Sequence, residues 1–157
     1  MNIFVLSSDP VEAAKAQCNK HVVKMIVETA QLLSSAHSKD IAPYKHTHVN
    51  HPCAKWTRAS LGNYRWLVRH GIALCVEYTK RYSKIHKTQA VLAWLRDNEP
   101  RFEDIEMTPF AIAIKNTDYH NSDPVKAYQA YYIGDKKQFA KWAPRAKSPD
   151  WWPFQES

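Results

Sequence analysis

The tetrapeptide Ser-Asp-Pro-Val occurs at residues 8–11 and again at 122–125, and it dictates where a helix can begin. Asp9 has a carboxylate that can accept the free N–H groups of a first turn, Pro10 suits the first helical position because it has no N–H, and Glu12 is placed to complete a capping box. Behind this start Ala14, Cys18, Val22, Met25, Thr29 and Leu32 recur at intervals of three and four, the spacing of one buried helix face. A helix over about 10–35 follows. Asp123 and Pro124 repeat the device ahead of a last helix over about 124–142. Nothing else in the two halves lines up, so this is a reused start and not a duplicated domain.

Pro52 opens a third periodic segment, in which Trp56, Ser60, Tyr64, Leu67, Gly71, Leu74, Tyr78 and Tyr82 recur mostly four apart. It predicts one long helix over about 52–84, or two with a break near Gly71. "TQAVLAWLRDN" predicts a helix over 88–98 that ends before Pro100. Residues 2–6, "NIFVL", are apolar and β-prone, whereas the acidic stretch 99–106 and "TPFAIAIKNTDYHN" read as irregular chain. The tail from Ile133 carries Phe139, Trp142, Trp151, Trp152 and Phe154 among Pro144, Pro149 and Pro153, a composition suited to laying rings across the helices. The fold class is all-α: a single-domain helical bundle over 1–157 with a short extended N-terminus and an aromatic, proline-rich C-terminal tail. At 157 residues the chain can bury a core of its own.

The formal charge of +7 attracts polyanions before any specific contact forms. DNA or a nucleotide is the expected partner. With three glycines and neither G-x-x-x-x-G-K-[ST] nor G-x-G-x-x-G, binding through a phosphate-cradling glycine loop is unsupported. No apolar run reaches the length of a membrane span, and "MNIFVLSSDP" lacks the basic start of a signal peptide, so a cytoplasmic protein is expected. Cys18, Cys53 and Cys75 are far apart and outside any C-x-x-C spacing, as reduced thiols would be.

Three constellations carry chemistry. "KHTHVNHPCAKW" places His46, His48, His51 and Cys53 within eight residues, but a tetrahedral zinc site prefers ligand pairs from separate elements. No metal is therefore assigned. His48, Asn50, His51 and Trp56 are expected to line a pocket ahead of the helix that Pro52 opens, with Asn63, Tyr78 and His86 around it, offering imidazoles and helix-end N–H groups to an anion. A metal-dependent nuclease built on this loop is retained as a rival reading. "CNKHVVKMIVE" places His21 and Glu28 on one helix face, roughly 10 Å apart along the axis, with Lys20 and Lys24 beside them. One imidazole, one carboxylate and two cations can supply proton transfer and phosphate grips. The bland reading is a solvated face with Lys24 and Glu28 as an ordinary four-apart pair. Arg58, Arg65, Arg69, Lys80, Arg81, Lys84 and Lys87 form a basic series interleaved with Tyr78 and Tyr82, which suits phosphate contact beside stacking. Glu77 and Arg81, four apart, are also a helical ion pair. No serine or cysteine has the flanking pattern of a nucleophile elbow.

The order of these elements, the "TPFAIAI" segment before the last helix, and Tyr128, Tyr131, Tyr132, Gly134 and Lys136 in "AYQAYYIGDK" are similar to the phage pyrimidine-dimer DNA glycosylases of the endonuclease V type. That resemblance implies an all-helical fold, no metal or other cofactor, a flipped-out nucleotide, and attack on the sugar C1′ by the N-terminal amine with a glutamate on the first long helix assisting. It also implies the host-cell cytoplasm as the location if the chain is phage-encoded. Two departures bear on the reaction. The family's glutamate follows a Tyr-Arg pair, where this chain has Asn19-Lys20-His21 and its nearest acid at Glu28, and residue 2 is Asn, which keeps Met1 in place.

The leading reading is a helical DNA glycosylase/lyase-like enzyme with His21 as proton-transfer group, Glu28 or Glu77 as supporting carboxylate, and Met1 as the source of the amine. A non-catalytic basic DNA-binding protein is the other rival.

Overall fold

The computed structural model describes residues 1–155. Among them it contains α1 (Pro10–Ala16), α2 (Asn19–Ser34), α3 (Pro52–Thr57), α4 (Leu61–Tyr82), α5 (Gln89–Asp97) and α6 (Pro124–Asp135), a 3-10 turn at Thr117–Tyr119, and no strand. The all-α expectation holds. No helix among these residues is long and apolar enough to cross a membrane.

The helix expected over 10–35 is two helices. Asp9 accepts the N–H groups of Val11 (2.8 Å) and Glu12 (2.9 Å) as its sequence position foretells, while the Glu12 side chain turns to Lys15 at 3.6 Å. The chain then leaves helical geometry at Gln17. The cause is Arg81, whose guanidinium reaches in from α4 and donates to the carbonyls of Lys15 (3.0 Å) and Gln17 (2.7 Å) and to Asn19 Oδ1 (3.2 Å). Those carbonyls would otherwise be orphaned at a helix end. Glu77 Oε1 completes the buried pair at 3.0 Å.

The helix expected over 52–84 is also divided, at Arg58–Ser60 and not at Gly71. Ser60 adopts an extended backbone and accepts the Asn63 N–H, restarting the helix as α4. Gly71 lies inside continuous α4 at its crossing with α2 and α5, where an added Cβ would stand 2.9 Å from Leu92 Cδ2 and 3.0 Å from Thr29 Cγ2. Close approach, not a bend, requires that glycine.

Helices α2 and α4 run antiparallel: His37 bonds the Tyr64 hydroxyl at one end (2.9 Å), and the Tyr82 hydroxyl donates to the Asn19 carbonyl at the other (3.3 Å). Helix α6 stops at Asp135, short of 142. Beyond it Trp142 is buried and donates to the Ala16 carbonyl, and Lys141 accepts from Asn19 N–H, so the tail closes over the α1–α2 junction. Residues 2–6 thread the interior without a strand partner. The Ile3 and Leu6 carbonyls accept from side chains, Gln17 (3.1 Å) and Gln129 (3.3 Å), and the Phe4 carbonyl accepts the Leu6 N–H (2.9 Å), partners of the kind that buried backbone outside a ladder requires.

Candidate active site

The buried path of residues 2–6 decides where the chain terminus lies. Asn2 folds its side chain back, its Oδ1 accepting the N–H groups of Ile3 (2.7 Å) and Phe4 (3.1 Å), and its Nδ2 donating to the Ala113 carbonyl (3.0 Å). Phe4 takes a left-handed backbone, φ 59°, a conformation that costs a bulky residue free energy and needs such support. Its ring stacks on the His21 imidazole with centroids 4.3 Å apart. The segment thus runs along α2 from His21 toward Glu28.

At its end the Met1 ammonium stands 3.3 Å from Glu28 Oε1, and Lys24 Nζ lies 4.0 Å from Glu28 Oε2. The Met1 side chain is 4% exposed while the residue as a whole is half-buried, so the part of Met1 that reaches solvent is the main chain bearing the amine. Glu28 Oε1 is shut off from solvent and makes no aligned hydrogen bond; its contact with the ammonium is an ion pair. A nucleophilic amine beside a carboxylate able to take its proton is the pairing that covalent amine catalysis needs.

His51 borders this pair. It caps α3 through Nδ1, which accepts the Cys53 N–H at 3.0 Å, and this leaves Nε2 as the protonated nitrogen of the neutral ring. Burial, then the N-terminal ammonium, then His48 push its protonation below the usual histidine range, and Glu28 opposes them. The Cys53 thiol behind it is pushed up to about 12 by burial, so it is no thiolate nucleophile. His48 is exposed with φ 49° and Asn50 is exposed beside it. Arg58 pins the loop by donating to the Val49 carbonyl. His46 donates from Nε2 to the His37 carbonyl, and no group of three or more His, Cys, Asp or Glu side chains converges as a metal cage among the described residues.

Other expected site residues lie elsewhere. His21 is buried, its Nδ1 2.6 Å from the Tyr132 hydroxyl, and burial first, with Lys136, Lys24 and Lys20 adding to it, lowers its pKa to about 3. It is a neutral member of an aromatic cluster with Phe4, Tyr132 and Phe139. Glu77 and Arg81 are 4% and 6% exposed and spend their charges on each other and on the α1–α2 junction; the phosphate grip expected of Arg81 is corrected accordingly, as is the site carboxylate expected of Glu77. Trp56 and Asn63 are buried scaffold, not pocket wall: Asn63 bonds Thr108 through Oδ1 (2.9 Å) and Nδ2 (2.7 Å), and Trp56 Nε1 donates to the Thr108 carbonyl. They hold the 108–114 segment that in turn holds Asn2. Arg65 forms a bidentate pair with Glu99 (2.6 and 2.9 Å) and, with Arg69, edges an apolar groove between α1, α4 and α5. Tyr78 and His86 pack edge to face at 4.9 Å near the C-terminal end of α4, where Lys80, Lys84 and Lys87 are exposed.

Sequence reasoning gave Phe4 no role, met Asn2 only as the residue that keeps Met1 in place and the 108–114 segment only as part of the resemblance; their structural roles come from contacts distant in sequence, more than a hundred residues in the case of Asn2 and Ala113. Lys136 was singled out only through the resemblance. It stands 4.8 Å from the Tyr131 ring and 5.8 Å from Phe4, and Lys20 lies 4.9 Å from Phe139; together with Lys24 these lysines stand around His21, which stacks on Phe4 of the threading segment.

The family profile described as pyrimidine dimer DNA glycosylase matches residues 1–90, more than half of the chain. The chain belongs to this family. The matched span includes Met1, Lys24, Glu28 and the His48–His51 loop, and it ends before the 108–114 segment and Lys136. No curated protein and no solved structure matches the chain.

Proposed function

We propose that this member of the pyrimidine dimer DNA glycosylase family excises a pyrimidine lesion from DNA by attack of its terminal amine, and that the same adduct leads on to strand cleavage. The observation that carries the reading is the Met1 amine 3.3 Å from Glu28 Oε1 on a chain of charge +7. Glu28 accepts a proton from the ammonium, freeing a lone pair that forms a bond to C1′ of a nucleotide turned out of the duplex. The C1′–N1 bond breaks with its electron pair on the departing pyrimidine, which takes up a proton. Opening of the sugar ring gives an imine between Met1 and C1′. Lys20, Lys24 and Lys136 offer phosphate contacts around that point, and His51 offers its Nε2–H beside the amine. Asn at position 2 is not small, which keeps Met1 as the residue that bears the amine. Glu28 carries the proton in this scheme because His21 is held neutral inside the aromatic cluster.

Borohydride reduction of the protein with duplex DNA containing a single pyrimidine dimer tests the scheme. A stable protein–DNA adduct is expected, with peptide mass spectrometry placing the bond on Met1. No adduct on damaged or undamaged DNA, alongside binding that weakens steeply with salt, would replace the enzyme with a non-catalytic binder.

A further inference from the structure

Away from the terminal amine, α4 presents Val68, Ile72 and Val76 on the floor of a groove of about 540 Å³ between α1 and α5. The floor is apolar and open: Val76 is 62% exposed. The rim carries Lys15, Arg65, Arg69 and Arg96, with Glu77 and Glu99 among them. Arg65 and Arg96 are paired with Glu99 and Asp97, while Arg69 is exposed with no acidic partner among the described residues. An apolar floor is a poor match for a sugar–phosphate backbone, and an apolar floor within a charged rim suits an apolar side chain flanked by charged ones.

The chain itself carries a segment of complementary chemistry. Residues 97–106, "DNEPRFEDIE", hold five acidic residues against one arginine; Asp97 and Glu99 are paired with Arg96 and Arg65, which leaves Glu103, Asp104 and Glu106 as its outward acidic groups. Within them Ile105 is 66% exposed, and Met107 just beyond is 46% exposed. This segment runs from Glu99 at the groove to the start of α4, where Leu61 and Gly62 donate to the carbonyls of Asp104 (2.9 Å) and Ile105 (2.7 Å). Those backbone bonds hold Ile105 against the first turn of α4, beside its own groove rather than in it.

We infer that this groove receives the Glu103–Met107 segment of a second copy of the chain, Ile105 on the apolar floor and the acidic side chains against Arg69 and its neighbours, in a reciprocal two-fold dimer. Groove and acidic segment are adjacent on one surface, the arrangement an isologous contact requires, since each copy gives a segment and receives one. Reciprocity also matters for size, because one segment in one groove is small against the ~1,200–2,000 Å² of a stable interface. Repulsion between two chains of charge +7 is screened over roughly 10 Å at moderate salt, so the local pairing of opposite charges governs the contact. The inference is independent of the amine chemistry proposed above.

Sedimentation velocity of the full chain from micromolar to submillimolar concentration, with melting temperature as the control for folding, tests it. A concentration-dependent dimer is expected, weakened by roughly tenfold or more in Ile105→Asp and in Arg69→Glu. The decisive measurement is a mixture. Arg69→Glu places an acidic groove against an acidic segment, and the double change Glu103→Arg with Glu106→Arg places a basic segment against a basic groove, so each alone should be monomeric. Mixed together, both contacts become complementary and a heterodimer should form. A wild-type chain that stays monomeric throughout overturns the inference, as does a dimer indifferent to these changes or a mixture that does not associate. Loss of duplex DNA binding in Arg69→Glu with association unchanged would make the rim a phosphate surface and overturn it equally.

Discussion

Glu28 has two cationic neighbours, the Met1 ammonium at 3.3 Å and Lys24 Nζ at 4.0 Å, and the proposed scheme makes the first the nucleophile. Replacing it by Gln keeps the shape and removes proton acceptance. Glu28→Gln is expected to slow borohydride-trappable adduct formation by about 10²–10⁴-fold, the usual range for a positioned acid–base group, while DNA affinity holds or rises because an anion has left the site. A full-rate variant in a single-turnover assay would remove Glu28 from the chemistry. His21 and the fully buried His70 make a different prediction. Burial lowers their folded-state pKa values to about 3 and about 4, below the unfolded value of 6.5, so between those limits the unfolded chain binds more protons. Their stabilising contribution is complete above pH 6.5 and drains away as pH falls toward 3. Melting temperature should therefore decline steadily below pH 6.5, and less steeply in His21→Phe; a flat profile down to pH 4 would show that neither imidazole is held neutral. Met1 and Glu28 were both legible as candidates in the sequence, but their pairing was not, because it depends on where the 2–6 segment threads.

At the level of elements, the proline-opened helix starts were legible, and the breaks, with the starts of α2 and α4 behind them, were not. Asp9-Pro10, His51-Pro52 and Asp123-Pro124 all open helices with a side chain accepting a first-turn N–H, which is local chemistry that a short stretch of sequence states outright. The stripe from Ala14 to Leu32 is buried throughout as its spacing implies, yet it crosses a break at Gln17–Cys18 imposed by a guanidinium more than sixty residues away. Periodicity cannot register a long-range cap. The same fact reassigns Arg81 from phosphate binding to fold stability, and the two roles have opposite signatures. Arg81→Ala leaves Glu77 as a buried unpaired charge and strips the end of α1, so a loss of about 3–5 kcal/mol is expected in denaturant unfolding. The exposed neighbour Lys80→Ala should stay within about 0.5 kcal/mol of the parent. Equal effects of the two substitutions would mean that Arg81 is not the clamp of the α1–α2 junction.

For the whole molecule, a charge of +7 spread evenly would let DNA approach from any side, but the cations are sorted by what holds them. Arg81 is buried, Arg65 and Arg96 are engaged by Glu99 and Asp97, and Arg69 stands over an apolar floor. Lys20, Lys24 and Lys136 are near one another around His21 and the threading segment, close enough for all three to disfavour its protonation, and they share that surface with the terminal amine. Composition alone gave the sign of the partner; only the packing separates cations free to meet phosphates from cations already committed. Each phosphate-bound cation contributes ~0.9 to the slope of log affinity against log salt on duplex DNA. Lys20→Ala, Lys24→Ala and Lys136→Ala should each flatten that slope by about one such increment, with similar loss on damaged and undamaged duplex, while Arg65→Ala and Arg69→Ala leave it unchanged. The reverse pattern would put the duplex on the groove side of α4, whose lining includes neither Met1 nor Glu28, and the amine mechanism would then need a second DNA contact to survive.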